Sequence, residues 1–235
     1  MTVTPGAIHT SVSTWRQPTP AGASAQRRAL IDEVAADLLA RGVGRLRVAV
    51  DGLTAAGKTS FGHELAEAVS RTGRPVLRAS LDDFKRPWAE RYRYDRESGC
   101  GYYRNAFDYE ALSRLLLEPF GAADAAGCAL CSIDPLTQLD HSTELTPVAP
   151  NAVLVVDGVF ALRRELDHHW DYRIWLDVSE DASLSRGRAR DGPVAGHLHE
   201  TRYLPAERIY LAEADPARRA DAVIDNADFD RPRLR

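Results

Sequence analysis

The segment GLTAAGKT, Gly52 to Thr59, constrains this chain more than any other stretch. It satisfies the pattern GxxxxGK[ST] in full. The residues before it, LRVAVD (Leu46 to Asp51), form a short apolar run rich in β-branched side chains, and those from Lys58 to about Ser70 are amphipathic. Strand, glycine-rich turn and helix, in that order, is the context in which this motif works. The glycines let backbone N–H groups curl around phosphate oxygens, and the helix N-terminus adds the positive end of its dipole. Lys58 is expected to reach the β and γ phosphates, and Thr59 to offer its hydroxyl to Mg²⁺. Gly52, Leu53, Thr54, Ala55, Ala56, Gly57, Lys58, Thr59 and Ser60 are therefore the expected binding set for a nucleoside triphosphate.

The rest of the chain alternates in the same way. PVLRAS (Pro75 to Ser80), AVLVVDGVF (Ala152 to Phe160), YRIWLDV (Tyr172 to Val178) and DAVID (Asp221 to Asp225) read as further strands. Continuous apolar runs of this kind suit parallel strands covered on both faces. Helices are expected from Ala25 to the Gly42/Gly44 stop and at about 108–118, 161–168, 180–190 and 203–213. The predicted class is α/β: a three-layer arrangement with a mostly parallel sheet of about five strands and a lid helix. The first 25 residues are rich in Thr, Ser, Pro, Gly and Ala without apolar period, and read as a mobile tail before a single domain over 26–235.

Composition bounds the partners. With 235 residues, 44% of them hydrophobic, the chain suffices for one α/β core. A formal charge of −4 with mixed signs gives no basic field for a nucleic-acid backbone. No apolar run approaches the roughly 20 residues of a membrane helix, and no secretory signal pattern opens the chain, so a cytoplasmic protein without membrane contact is expected. The odd count of cysteines, Cys100, Cys128 and Cys131, fits a reducing compartment. The Cys128/Cys131 pair lacks a second ligand pair and reads as part of a short strand. Self-association is left open.

Three further features carry chemistry. Asp82 and Asp83 follow the second strand directly and so fall on the rim where ligands bind in open α/β sheets. Asp82 is expected to accept a proton from an attacking hydroxyl or to hold Mg²⁺ through water. Asp157 ends the run VLVVD, where an acid orients Mg²⁺ beside Thr59. Arg186 and Arg190 lie four apart, on one helical face, placed to clamp phosphate oxygens as a transferring group gains charge. His197 and His199 are read as exposed. Trp88, Tyr102, Tyr103 and Arg104 fall in a segment with little periodic signal that reads either as an acceptor-side flap or as a surface loop.

Taken in order, VAVDGLTAAGKTS, SLDDF, NAFDYEAL, VVDGVFAL, LSRGRARD and RADAVIDN resemble the uridine kinase group of P-loop kinases, relatives of phosphoribulokinase, pantothenate kinase and nicotinamide riboside kinase. The resemblance spans about 46–226. It implies transfer of the γ-phosphoryl group of ATP, with Mg²⁺, to a small-molecule hydroxyl. Asp82 would act as base, Lys58, Arg186 and Arg190 would meet the phosphates, Asp83, Tyr103 and Asp108 would face the acceptor, and Asn226 would lie near the nucleotide base. Thr59, Asp82 and Asp157 would be the metal-side groups.

Some positions depart from that pattern. Ile133–Gln138 reads IDPLTQ where uridine kinases carry Tyr-Asp-x-x-Thr-His, so the aromatic and imidazole that read a pyrimidine are absent. Gly187 stands where an arginine often follows, and Asp157 replaces the more usual Glu. A nucleoside is the first acceptor class implied; nicotinamide riboside, pantothenate or a sugar phosphate are alternatives. A P-loop ATPase or nucleotide-sensing module without an acceptor is the reading from another class.

Overall fold

The structure, a computed structural model, describes residues 6–15 and 22–235. Its centre is a sheet of seven strands in the order β1-β3-β6-β2-β7-β8-β9. These are β1 (Ile8–Thr10), β2 (Leu46–Gly52), β3 (Val76–Ser80), β6 (Val153–Asp157), β7 (Tyr172–Asp177), β8 (Ala222–Asp225) and β9 (Arg233–Leu234). All neighbours are parallel except β8 and β9. A separate antiparallel pair joins β4 (Cys128–Ala129) to β5 (Leu145–Thr146). The helices are α1 (Ala25–Ala40), α2 (Lys58–Arg71), α3 (Trp88–Arg91), α4 (Gly99–Asn105), α5 (Tyr109–Leu112), α6 (Glu118–Gly121), α7 (Glu180–Ala195), α8 (Leu204–Ala214) and α9 (Pro216–Arg219). Among the described residues none of them is long and apolar enough to cross a membrane.

The mostly parallel α/β class is as expected, but the sheet has seven strands where about five were read. Both additional strands are edges. β9 is only two residues long, and β1 lies inside the stretch read as a mobile tail. Ile8, His9 and Thr10 pair with Val76, Leu77 and Arg78, so at least this part of the leading segment adds a strand to the sheet. Its IHT sequence is too short to show a period, and what orders it is the open edge of β3 rather than its own apolar content.

The central strands are buried on both faces. Val48, Val50, Val153, Leu154, Val155, Val156, Ile174 and Leu176 are all fully buried, which is why these segments read as unbroken apolar runs. Because the five central strands are parallel, their carboxyl ends share one rim. That rim carries the glycine loop after β2, Asp82 after β3, Asp157 at the end of β6, Ser179 capping α7 after β7, and Asn226 after β8.

Candidate active site

The glycine loop takes its shape from two backbone constraints. Gly57 caps α2 with φ +94°, in the left-handed region that favours glycine. A Cβ on Gly52 would stand 2.6 Å from the Leu176 carbonyl oxygen. Lys58 opens α2, is buried, and donates from Nζ to the carbonyls of Gly52 (3.0 Å) and Leu53 (2.7 Å). The ammonium is thus held inside the loop, at the place a phosphate chain would cross. Burial lowers its pKa, opposed by Asp51, Glu207, Asp157 and Asp82.

Two buried carboxylates brace this loop from behind. Asp51 accepts from the N–H of Gly52 (2.6 Å) and Leu162 (2.9 Å) and from the Tyr210 hydroxyl (2.6 Å). Glu207 of α8 accepts from both the N–H (2.5 Å) and the hydroxyl (2.6 Å) of Thr54, tying the tip of the loop to α8. Burial raises the pKa of both acids.

At the start of α2, Thr59 donates its hydroxyl to Asp157 Oδ2 at 2.6 Å. The other oxygen of Asp157 meets the Arg78 guanidinium at 2.6 Å, with both side chains almost wholly buried. Arg78 fits because residue 62 is glycine: a Cβ there would stand 2.5 Å from the Arg78 Nη2. A hydroxyl and a carboxylate side by side, within reach of bound phosphate oxygens, are the hard oxygen donors that Mg²⁺ accepts with few protein ligands and several waters. Among the described residues no three His, Cys, Asp or Glu side chains converge as a dedicated metal cage. The donor set therefore fits a metal brought in with a nucleotide better than a resident one.

These groups face a cavity of about 630 Å³. Gly57, Lys58 and Thr59 line one side and Asp82, Lys85 and Tyr102 another; Arg186, Arg190, Asp191 and Tyr203 come from α7 and the helical turn His199–Tyr203, here together called the lid. Asp82 is partly exposed on the cavity wall and pairs with Lys85 at 2.6 Å. Burial pushes its pKa up, but Lys85, Lys58 and Arg190 together draw it below the usual carboxylate range, so it is ionised at neutral pH. Arg186 donates to the carbonyls of Asn226 (3.0 Å) and Ala227 (2.5 Å), while Arg190 pairs with Asp191 through Nε (2.6 Å) and Nη2 (3.0 Å).

The structure thus brings together the glycine loop, Lys58, Thr59, Asp82, Asp157, Arg186 and Arg190. Four other expected site residues lie elsewhere. Asp83 is buried and faces a second, smaller cavity with Ser11 and Ser80; burial raises its pKa to about 6. Tyr103 turns into the core against Phe160, with its hydroxyl on Glu213 (3.0 Å), and it is the neighbouring Tyr102 that lines the main cavity. Successive residues on a short helix point about 100° apart, and the sequence had no period there to choose between them. Asp108 caps α5 by accepting from the Ala111 N–H (3.0 Å). Asn226 is fully buried beneath the loop, donating to the Ala56 carbonyl (2.6 Å) and accepting from Arg27 (3.0 Å), so its side chain braces the loop rather than reaching a base.

Several contributors were missed. Glu207 and Arg78 read as ordinary helix and strand positions. Trp15 also lines the cavity, with Lys85 Nζ 5.5 Å from its ring centroid. The departing segment Ile133–Gln138 helps seat the strap before Trp15: buried Asp134 accepts from the N–H groups of Thr14 (2.5 Å), Leu136 (2.8 Å) and Thr137 (2.8 Å). His199, read as exposed, is 1% exposed in its side chain. Cys128 and Cys131 are buried free thiols, and burial raises the pKa of both, to about 12 for Cys128.

Comparison with known proteins agrees with this geometry. No protein-family profile matches the chain. A uridine kinase of Deinococcus deserti is 27% identical over 201 residues, covering 80% of this chain and 90% of that protein. The solved structure of a possible uridine kinase from Bacillus stearothermophilus superposes with a TM-score of 0.67 at 27% identity, covering 83% of this chain and 97% of that one. In sequence and in fold the chain is similar to uridine kinase-like P-loop kinases. A second structure, a candidate fructose transport system kinase from Silicibacter sp. TM1040, shares the fold at a TM-score of 0.52 and 24% identity, over 83% of this chain and 94% of that one. The glycine loop and the rim residues Asp82 and Asp157 border one and the same cavity.

Proposed function

We propose that this kinase transfers the γ-phosphoryl group of ATP, with Mg²⁺, to a hydroxyl of a small molecule, a nucleoside being the first acceptor class to test. The observation that carries the reading is the position of Asp82. Its ionised carboxylate lies on the wall of the cavity that Lys58, Arg186 and Arg190 also line, and that wall is distinct from the glycine loop. The same carboxylate could take a proton from water instead, so acceptor-dependent turnover is what separates the kinase reading from an ATPase without an acceptor.

In the reaction, an acceptor hydroxyl oxygen forms a bond to the γ-phosphorus while the bond from that phosphorus to the β-bridging oxygen breaks, releasing ADP. The hydroxyl proton passes to Asp82. Lys58 and the lid arginines offset the charge that spreads onto the phosphoryl oxygens. Thr59 and Asp157 would hold Mg²⁺, which when bound screens the β and γ phosphates. Lys85 keeps the Asp82 carboxylate ionised, and Tyr102, Tyr203 and Trp15 give the cavity an apolar, partly aromatic wall that limits water near the transferring group.

The discriminating experiment is ATP consumption with and without a panel of uridine, cytidine, nicotinamide riboside, pantothenate and sugar phosphates. Turnover that rises sharply with one acceptor, with a phosphorylated product, is expected. Equal ATP hydrolysis in the presence and absence of every acceptor, with no phosphorylated product, would refute the proposal.

A further inference from the structure

Arg190 lines the phosphate cavity from α7, where the chain is about to leave the helix: Gly192, two residues on, takes φ +67° and ψ −173°. An arginine at a helix end beside such a kink needs something to fix it. Asp191 meets the Nε and Nη2 edge of its guanidinium, which leaves Nη1 without a hydrogen bond among the described residues. Asp191 in turn is held by His199, whose Nε2 lies 2.7 Å from Oδ2. The imidazole is buried between the two helical arms of the lid, edge-on to Tyr203 at 5.1 Å between centroids. Tyr203 itself lines the cavity.

Gly187 makes the arrangement sterically workable. A Cβ at that position would stand 2.2 Å from the His199 ring, so any larger residue displaces the imidazole. The glycine that departs from the family's arginine and the buried histidine are therefore two halves of one packing solution. A neutral imidazole donates from Nε2 in one tautomer and the imidazolium donates from both nitrogens, so the contact with Asp191 is available to either form.

We infer that His199 is a positioning residue, which holds Arg190 on the phosphate cavity through Asp191. The inference rests on the kinase reading only for the nature of the ligand, a nucleoside triphosphate. Its test is calorimetric binding of a non-hydrolysable ATP analogue with Mg²⁺, and of ADP, to the full chain and to Arg190→Ala, His199→Ala, His199→Gln, Asp191→Asn and the Arg190→Ala/His199→Ala double variant. Arg190→Ala is expected to weaken the analogue about tenfold, the scale of one charge-assisted contact, and ADP much less. His199→Ala should reproduce most of that loss. Gln, whose amide nitrogen reaches about as far as Nε2, should restore it to within about threefold of wild type. The double variant should be no weaker than Arg190→Ala alone, because both changes remove one interaction.

If His199→Ala fails to fold, Asp191→Asn interrupts the same chain at a more exposed position and is expected to show the same selective loss. Undiminished analogue binding in His199→Ala or Asp191→Asn overturns the inference, as does a His199→Ala loss that persists in full when Arg190 is already Ala. A wild-type chain that binds no analogue would refute the kinase reading and this inference with it. Normal wild-type binding combined with either preceding result refutes this inference alone.

Discussion

Replacing Arg78 by Met tests how the metal-side acid is held. Arg78 and Asp157 are 4% and 2% exposed in their side chains and 2.6 Å apart, so neither charge has solvent to turn to. Arg78→Met keeps most of the apolar stem but leaves Asp157 with only the Thr59 hydroxyl among the described side-chain donors. Removing one partner of a buried ion pair costs about 3–5 kcal/mol, chiefly the price of the charge left behind. For a chain of this size that corresponds to a fall in Tm of roughly 6–20 °C. The assay is thermal and urea unfolding of the ligand-free protein, followed by circular dichroism. The Arg78→Met/Asp157→Asn double variant removes the orphaned charge and should be more stable than Arg78→Met alone by at least about 1 kcal/mol. Millimolar Mg²⁺ should recover part of the single variant's loss, because it binds the freed carboxylate. A single variant within about 1 kcal/mol of wild type, or a double variant whose loss is the sum of the two single losses, would refute the reasoning.

Other substitutions probe separate parts of the site. Glu207→Ala removes the carboxylate that takes both the N–H and the hydroxyl of Thr54 and should raise the KM for ATP about five- to tenfold, measured by steady-state turnover. Gly187→Ala drives a methyl into the His199 ring and should lower stability by about 1–3 kcal/mol in urea unfolding, with weaker ATP binding as the lid shifts. Asp83 has a folded pKa raised to about 6 from 3.8, because burial disfavours its charge. The folded state then binds the proton more tightly than the unfolded state, so the group's contribution is most favourable below pH 3.8 and is lost as pH rises through 6. Asp83→Asn should therefore stabilise the protein at pH 7.5 by on the order of 2–3 kcal/mol and progressively less toward pH 4, read from urea midpoints across that range.

Much of the donor side was legible because it is encoded locally. The strand into Gly52, the loop and the helix from Lys58 form one continuous segment whose residue types each have a job, and the structure keeps them in register at the sheet rim. The strands β2, β3, β6, β7 and β8 were legible because burial on both faces demands unbroken apolar runs. The opposite wall of the cavity was not, because it comes from residues distant in sequence. Tyr102, Lys85, Tyr203 and Trp15 meet only through tertiary packing, and choosing Tyr102 over Tyr103 requires knowing how a seven-residue helix is rotated. Glu207 and Arg78 look like an exposed helix acid and a strand-edge cation until the loop and Asp157 are placed against them. Asn226 was drawn to the right end of the right strand but faces the underside of the loop, a distinction of side-chain direction that sequence order does not carry. His199 looked like a surface residue because the glycine that accommodates it lies twelve positions earlier, on the other arm of the lid.

The central claim is that Asp82 serves a hydroxyl acceptor in phosphoryl transfer, and labelled-phosphate transfer by Asp82→Asn tests it most directly. With γ-labelled ATP and whichever panel acceptor the wild type phosphorylates, Asp82→Asn is expected to lose about 10²–10⁴-fold in transfer rate while binding the ATP analogue and Mg²⁺ within a few-fold of wild type. Transfer by Asp82→Asn at the wild-type rate, or a wild type that releases labelled phosphate to water at one rate with or without any acceptor, would contradict the account.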